Sequence, residues 1–196
     1  HAMFIYTSRL VLRPADRADL DDLVGLDADP EVMRYVSGGV ATPREVIENW
    51  ILPRAQACMR NRSGGMWAVI DRVHGSFFGW LLLRTPRHSS TPELELSYRL
   101  RRDAWGMGVA SEAATALIDM SFREIETQRV FASTTVANVA SRRVMEKVGM
   151  HLSAVHTSGS PVSPFAACDE VEYEMLRAQW EYQTSGWTGA DRELAG

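Results

Sequence analysis

Residues 103–122 read DAWGMGVASEAATALIDMSF, Asp103 to Phe122. Gly106 and Gly108 run straight into an apolar-periodic segment, in which Val109, Ala113, Ala116 or Leu117, and Met120 share one helical face. Glycine is a poor residue for the start or interior of a helix, so stability does not explain the pair. A glycine turn that opens a helix is an anion site by construction. The first backbone N–H groups point outward without partners, and the helix dipole adds partial positive charge there. A tight strand-to-helix turn, with Gly108 needed only for packing, explains the same pattern.

The neighbouring segments give the turn its setting. PELELSYRLR precedes it, with Leu94, Leu96, Tyr98 and Leu100 alternating against Glu93, Glu95, Ser97 and Arg99. That is the clearest two-residue period in the chain and reads as a strand. MWAVID (Met66–Asp71) and SFFGWLLLR (Ser76–Arg84) form a hairpin signal before it. RVFASTTV (Arg129–Val136) follows as a strand, and NVASRRVMEKVGM as a short helix. Asn138 caps that helix and Gly149 ends it. Further upstream, SRLVLRPA reads as a strand stopped by Pro14, and ADRADLDDLVGLDADPEVMRYV as a helix broken at Pro30. TPREVIENWILPRAQACMRN reads as a second helix with Thr42 as N-cap, Glu45 completing a capping box, and a kink or split at Pro53. HLSAV and the alternating Val171, Tyr173 and Met175 give two last strands, and a Gly- and polar-rich tail follows Trp180. The order predicts one mixed α/β domain with a central antiparallel meander and a βαβ step after it.

A chain of 196 residues with net charge −4 is sized for one domain and does not suggest generic binding to nucleic acid or to anionic membranes. Cys58 and Cys168 lack metal-type spacing and read as reduced thiols of a cytoplasmic protein. The histidines form no ligand pattern, so no metal is expected. No run resembles a transmembrane helix, and HAMFIYTSRL does not read as a signal peptide. His1 and Ala2, ahead of Met3, read as a cloning remnant.

Three phosphate-binding readings compete for the glycine turn. A Walker loop needs a Lys after its last glycine, and GMGVASE has none. A dinucleotide fingerprint needs glycine or alanine where Ser111 stands, and an acid at the end of the next strand, which is missing. It also normally opens the first βαβ unit, whereas a meander comes first here. The third reading is a cradle for the diphosphate of coenzyme A.

ELELSYRLRRDAWGMGVASEA followed by RVFASTTVANVASRRVMEKVGM resembles the GCN5-related N-acetyltransferase (GNAT) superfamily, and within it the RimJ/RimL type of ribosomal-protein N-terminal acetyltransferase. The resemblance covers roughly Ser8 to Trp180, including the opening RLVLRP and the closing VEYEMLRAQW. It implies one GNAT-like α/β (α+β) domain over residues 3–180, with a tail at 181–196. The implied sheet is mixed, mostly antiparallel, of about seven strands flanked by helices. A β-bulge is expected to splay it at the cofactor site, between PELELSYRLR and RVFASTTV. The implied cofactor loop, Q/R-x-x-G-x-G/A, falls on Trp105, Gly106, Met107, Gly108, Val109 and Ala110, with Trp105 replacing the usual Gln or Arg. Backbone N–H groups from Gly106 to Ser111 would hold the diphosphate of acetyl-CoA. Tyr98, Arg99 and Leu100 would offer backbone groups to the pantetheine arm as to an added strand. Asn138 would add a hydrogen bond to that arm. Arg142, Arg143 and Lys147 form a basic face that either meets the 3′-phosphate or is simply solvated.

The implied reaction needs a neutral amine, a stabilised carbonyl oxygen and a proton for the leaving thiolate. A lysine amine has a pKa of about 10.4 and an α-amine of about 7.7–8.0, so the first depends far more on a base. Glu95 is the expected base, unless it is only salt-bridged to Arg99, and Glu93 is the reserve. Many superfamily members carry an acidic Tyr seven residues after the helix-opening Asn, but that position is Met145. The resemblance puts Ser141 near the sulfur instead, while capping explains Ser141 equally well. Trp50, Trp67 and Trp80 read as core or groove lining, with Trp50 a candidate for the acceptor side. The expected partners are acetyl-CoA and an amine acceptor: a protein N-terminus, a lysine or a small amine. Neither nucleic acid nor membrane is expected, a homodimer is compatible, and the expected location is cytoplasmic. The rivals are a non-catalytic CoA-binding sensor and a nucleotide-dependent oxidoreductase.

Overall fold

Alternation along the central strands decides which helices cover which side of the sheet. The computed structural model describes residues 3–157 and 169–185. In it, β3 (Gly64–Asp71), β4 (Phe77–Arg84) and β5 (Glu93–Leu100) form the expected meander. Leu81 pairs with Tyr98, Leu83 with Leu96, and Gly79 with Leu100, which puts these residues on one face. Trp80 pairs with Arg99, Leu82 with Ser97, and Arg84 with Glu95 on the other. The first face packs against α5 (Val109–Glu124) and α6 (Val139–Val148), burying Leu117, Ile118 and Met145 among the leucines. The second face is covered by α1 (Leu20–Asp27) and α4 (Leu52–Arg60), through Leu23, Leu26, Leu52 and Ala55.

Around this centre lie β1 (Ile5–Tyr6), β2 (Leu10–Pro14), β6 (Arg129–Thr135), β7 (His151–His156) and β8 (Glu170–Leu176). The sheet has eight strands in the order β1-β2-β3-β4-β5-β6-β8-β7. The strand beyond the expected seven is β1, whose two residues are too few to show a period. Among the described residues only β5 and β6 run parallel, joined by the α5 crossover.

That parallel ladder is short. Glu93 pairs with Arg129, Leu94 with Val130 and Glu95 with Phe131, and there it ends. Beyond Glu95, β5 continues on β4 as far as Leu100, while β6 continues on β8 as far as Thr135. The sheet therefore splays where expected, but not through a bulge. The β4–β5 register runs unbroken from Arg84–Glu95 to Gly79–Leu100. The edges part because each strand stays with its antiparallel partner.

One local expectation is corrected. Thr42 does not cap a helix: the N-cap of α3 (Arg44–Val46) is Pro43, which makes no side-chain cap. The Thr42 hydroxyl instead donates to the buried Asp27 carboxylate. At Pro53 the run is split: a π-helical turn, Ile47–Ile51, precedes α4, and Pro53 falls in the first turn of α4. The run broken at Pro30 becomes α1 and a short α2 (Arg34–Ser37). The chain past β8 continues as α7 (Arg177–Ser185), whose Trp180 stacks on Phe122 at 5.2 Å. Residues 158–168, with Cys168, and 186–196 lie outside the described residues. No helix among the described residues is long and apolar enough to cross a membrane.

One ion pair fastens α1 to the splayed end of β5. Arg99 Nη1 donates to Asp27 Oδ1 at 2.7 Å, and Asp27 is 3% exposed. Removing one partner of such a pair strands the other charge, at a cost of about 3–5 kcal/mol. Asp27→Ala is therefore expected to lower the urea unfolding free energy by about 3 kcal/mol. A loss of less than about 1 kcal/mol would show that the pair does not hold the two layers together.

Candidate active site

Gly106 and Gly108 have φ of 74° and 76°, the left-handed region that a side chain disfavours. Gly108 is the N-cap of α5, and the first backbone bond of that helix runs from Glu112 N–H to Gly108 O at 3.1 Å. No amide of residues 106–111 donates to an acceptor among the described residues. A Cβ on Gly106 would meet nothing within 4 Å, so a ligand can approach the backbone there. Val109 and Ala110 are buried and anchor the turn to the core. Ser111 is buried too, and its hydroxyl donates to Gly108 O at 3.3 Å. It therefore offers its amide to a ligand rather than its side chain. Met107 and Trp105 are exposed, and Trp105 Nε1 donates to Leu100 O at 3.0 Å. That bond occupies one backbone acceptor expected to serve the pantetheine arm.

The other side of the turn is held by residues that the sequence did not connect to it. Arg9 Nη1 donates to Met107 O at 2.8 Å, and Arg9 Nε to Glu112 Oε1 at 2.7 Å. The Arg9 amide and the Thr7 hydroxyl both donate to Glu112 Oε2, at 3.1 and 2.5 Å. Burial pushes the Glu112 carboxyl up, but the bonds from Thr7 and Arg9 outweigh it and hold it below the ordinary carboxylate value. Thr7 and Arg9 are about a hundred residues from Glu112, and no spacing rule joins such positions. The only visible signal was an acid in the first turn of α5.

The open end of β5 carries the remaining candidates. Glu95 accepts from Arg84 Nη2 at 2.9 Å, across the β4–β5 pair. Arg99, the expected partner, is taken by Asp27 and lies 4.8 Å over Trp80. Glu93, the reserve base, is bound to Arg129 at 2.9 Å, and Glu172 and Glu174 share the same guanidinium. Both oxygens of Glu93 are thus engaged, Oε2 by Arg129 and Oε1 by the Ser89 hydroxyl at 3.1 Å, whereas Glu95 accepts only from Arg84 among the described residues. On the opposite face, the Tyr98 hydroxyl donates to Ser141 Oγ at 3.4 Å. Burial pushes the Tyr98 phenol up, and the Ser141 bond only partly offsets it. Asn138 caps α6 as expected, with Oδ1 accepting from Ser141 N–H at 3.2 Å. The cap thus uses the Ser141 amide and leaves its hydroxyl to Tyr98. Met145 is buried in the core.

Of the basic face on α6, Arg142 turns toward Tyr173 and Val136 O, Arg143 is exposed, and Lys147 reaches the glycine turn. Trp50 is exposed, with Arg54 5.2 Å over its ring. Cys58 is a free thiol in α4. A cavity of about 1180 Å³ is lined by Met3, Met59, Met66 and Met120 and shares no residue with the glycine turn. Its size does not make it the site, because the bare amides and the open strand edge lie elsewhere.

The Thr7–Arg9–Glu112 clamp is expected to titrate. A carboxylate whose folded pKa is depressed adds stability that is full above its unfolded value, about 4.3, and is lost as pH falls through the lower folded value. Glu112→Gln should therefore flatten the acid limb of a stability–pH profile below about pH 4.3. An unchanged acid limb in urea titrations would mean that the clamp makes no net contribution.

The acetyltransferase (GNAT) domain family matches residues 9–151. YkkB of Bacillus subtilis is 34% identical over 155 residues, covering 76% of this chain and 86% of its own. FsC-acetyl coenzyme A-N(2)-transacetylase of Aspergillus fumigatus is 29% identical over 187 residues, covering 90% of this chain and 77% of its own. The structure of RimL, a ribosomal L7/L12 alpha-N-protein acetyltransferase in complex with coenzyme A, superposes with a TM-score of 0.74 at 17% identity, covering 89% of this chain and 98% of that one. With the family matched across most of its length and the splayed sheet, glycine turn and crossover helix in place, the chain belongs to the GNAT acetyltransferases.

Proposed function

We propose that the glycine turn and the free edge of β5 hold acetyl-CoA, and that Glu95 and Ser141 serve acetyl transfer to a primary amine by direct attack in a ternary complex. One observation carries this reading. The bare amides of residues 106–111 and the length of β5 left unpaired by β6 are tied to each other by the Trp105–Leu100 hydrogen bond. A diphosphate on the amides and an amide-bearing arm along Tyr98, Arg99 and Leu100 then belong to one extended ligand. Bound acetyl-CoA supplies an acyl group activated on sulfur.

The residues around it divide the proton work. Glu95 stands on the face covered by α1 and α4, at the point where β5 and β6 part. It accepts the proton that the amine sheds, and Arg84 holds its other oxygen in place. Ser141 stands on the opposite face and donates a hydrogen bond toward the leaving sulfur. Behind it, Tyr98 keeps its proton at neutral pH, because burial raises its phenol, and its donated hydrogen bond turns the Ser141 hydroxyl proton toward the sulfur. Tyr98 from β5 thereby supplies in space the hydroxyl that Met145 lacks in sequence. Direct attack needs no protein nucleophile, and Cys58 lies on α4, off the splayed strands. The names of two similar proteins carry different acceptors, FsC N(2) and the L7/L12 α-amine. The shared scaffold accordingly constrains the donor more than the acceptor.

Glu95→Gln is expected to lower kcat about a hundredfold or more with a lysine-type amine, leaving the KM for acetyl-CoA near wild type. Tyr98→Phe should lower kcat less, by about tenfold, because Ser141 still donates. Release of the CoA thiol, followed across a panel of primary amines, measures both. Wild-type kcat in Glu95→Gln for every accepted amine would dismiss Glu95 as the base.

A further inference from the structure

We propose that β7 is a self-association edge, pairing antiparallel with β7 of a second copy of this chain so that the two eight-stranded sheets join into one. The sheet ends at β7, and among the described residues no strand pairs with its outer edge. Such an edge presents a row of backbone N–H and C=O groups, which is a template for another strand.

The two edges of the sheet are finished differently. β1 is only two residues long, and Arg72 lies 5.7 Å over its Tyr6 ring. β7 has six residues, HLSAVH, with no proline and no Lys, Arg, Asp or Glu to discourage pairing. Its register on β8 slips between Leu152 and Ala154, which leaves Ser153 as a bulge. A bulge can blunt an edge, but this one is fastened inward, with the Ser153 hydroxyl donating to Glu172 O at 3.2 Å. It also changes which residues share a face. Three positions apart, Leu152 and Val155 would stand on opposite faces of a regular strand. Here they pair with Tyr173 and Val171, both of which point into the core. The bulge therefore collects the two large apolar side chains of β7 on one side. They are 54% and 55% exposed, so the core face of the sheet runs past its last strand into solvent.

A second copy fits this edge because antiparallel pairing is its own inverse. A twofold axis through the middle of β7 satisfies both copies with the same residues. It sets Leu152 beside Val155 of the partner subunit, and Val155 beside Leu152 of the partner subunit, so each apolar pair covers the other. Charge permits the approach. The chain carries a net charge of −4, which makes two copies repel each other in general. On β7 that repulsion has no local source. The nearest carboxylates, Glu170, Glu172 and Glu174, stand one strand behind it on β8, and His156 and His151 are paired with the first and last of them. No two acids are therefore brought directly opposite by the pairing.

Sedimentation velocity of the full chain over a concentration series reads the association. We expect a closed dimer, and a dimer Kd raised about a hundredfold or more when Leu152→Lys and Val155→Lys are combined. Both positions are exposed, and far-UV circular dichroism checks that the variant keeps its fold. Cysteines test the same edge without weakening it. Antiparallel Cα separations of about 4.5–5.5 Å suit a disulfide. In a Cys58→Ser, Cys168→Ser background, mild oxidation of Ser153→Cys or of Ala154→Cys should then give a covalent dimer. If the double lysine variant does not fold, the cysteine variants decide. A wild-type chain that stays monomeric at every concentration would overturn the proposal and leave the edge to a foreign strand. A dimer of undiminished affinity in the folded lysine variant would also overturn it, as would the absence of a covalent dimer with both cysteines, because the copies would then meet elsewhere. Open-ended association in place of a dimer would defeat the twofold pairing.

Discussion

Three parallel residue pairs, Glu93–Arg129, Leu94–Val130 and Glu95–Phe131, join two antiparallel half-sheets. The molecule depends on that ladder being present and on its being short. If it extended further, β5 and β6 would satisfy each other's backbone groups and leave no edge for a ligand. If it were absent, the halves would have only their helices in common. The ladder survives at this length because its closed end is reinforced from the side. Arg129 gathers Glu93, Glu172 and Glu174 around one guanidinium, so β5, β6 and β8 share a charge cluster at the closed end of the wedge. The Arg129 pKa is raised: burial opposes the charge, and the hydrogen bonds it donates to Glu174, Glu93 and Glu172 overcome that opposition.

At the open end a second guanidinium does comparable work with fewer partners. Arg99 is bound to Asp27 and lies over Trp80, and its Nε meets no acceptor among the described residues. Asp27 and the Trp80 ring thus carry the stabilisation of that charge. The arrangement places α1 firmly against the splayed half of β5. Residue alternation does the rest: with Arg99 turned toward α1, Tyr98 must turn toward α6 and Leu100 into the core. The groups proposed to handle protons therefore end on opposite faces of one strand, Glu95 with the helices of the second core and Tyr98 with Ser141. An amine approaching from one side and a sulfur leaving toward the other is the geometry this alternation permits.

Local signals made most of this readable. Period-two alternation located β5 and the side each residue takes, and the Asn138 and Gly149 caps bounded α6 within a residue. The glycine pair marked the turn because left-handed backbone is costly for other residues. What could not be read were pairings across strands and between distant segments. Glu95 was matched to Arg99 because four residues separate them, yet on a strand that spacing is more than one side chain readily spans. Register brought Arg84 opposite instead. Arg9, Thr7 and Glu112 meet only because β2 and the start of α5 are neighbours in space. Thr42 looked like a cap because its local pattern fitted, but the buried Asp27 claimed its hydroxyl. The expected bulge failed for a similar reason: the wedge is a property of which strands pair, and that is decided by the whole sheet.

The same comparison explains how a turn built from flexible residues can serve as a rigid cradle. Two glycines in left-handed backbone lose more conformational entropy on folding than other residues would, and they supply no packing of their own. Left alone, such a loop would have to be ordered by its ligand, at the expense of affinity. Here it is ordered beforehand from three directions. Trp105 pins its start to Leu100, Arg9 pins its middle through Met107, and Val109 and Ala110 sink its end into the core. None of these contacts uses an amide N–H of the turn. The donors stay bare and fixed, and a group of fixed donors binds an anion without reorganising. Glycine is thus required for the close approach, while stiffness comes from residues that the approach leaves untouched.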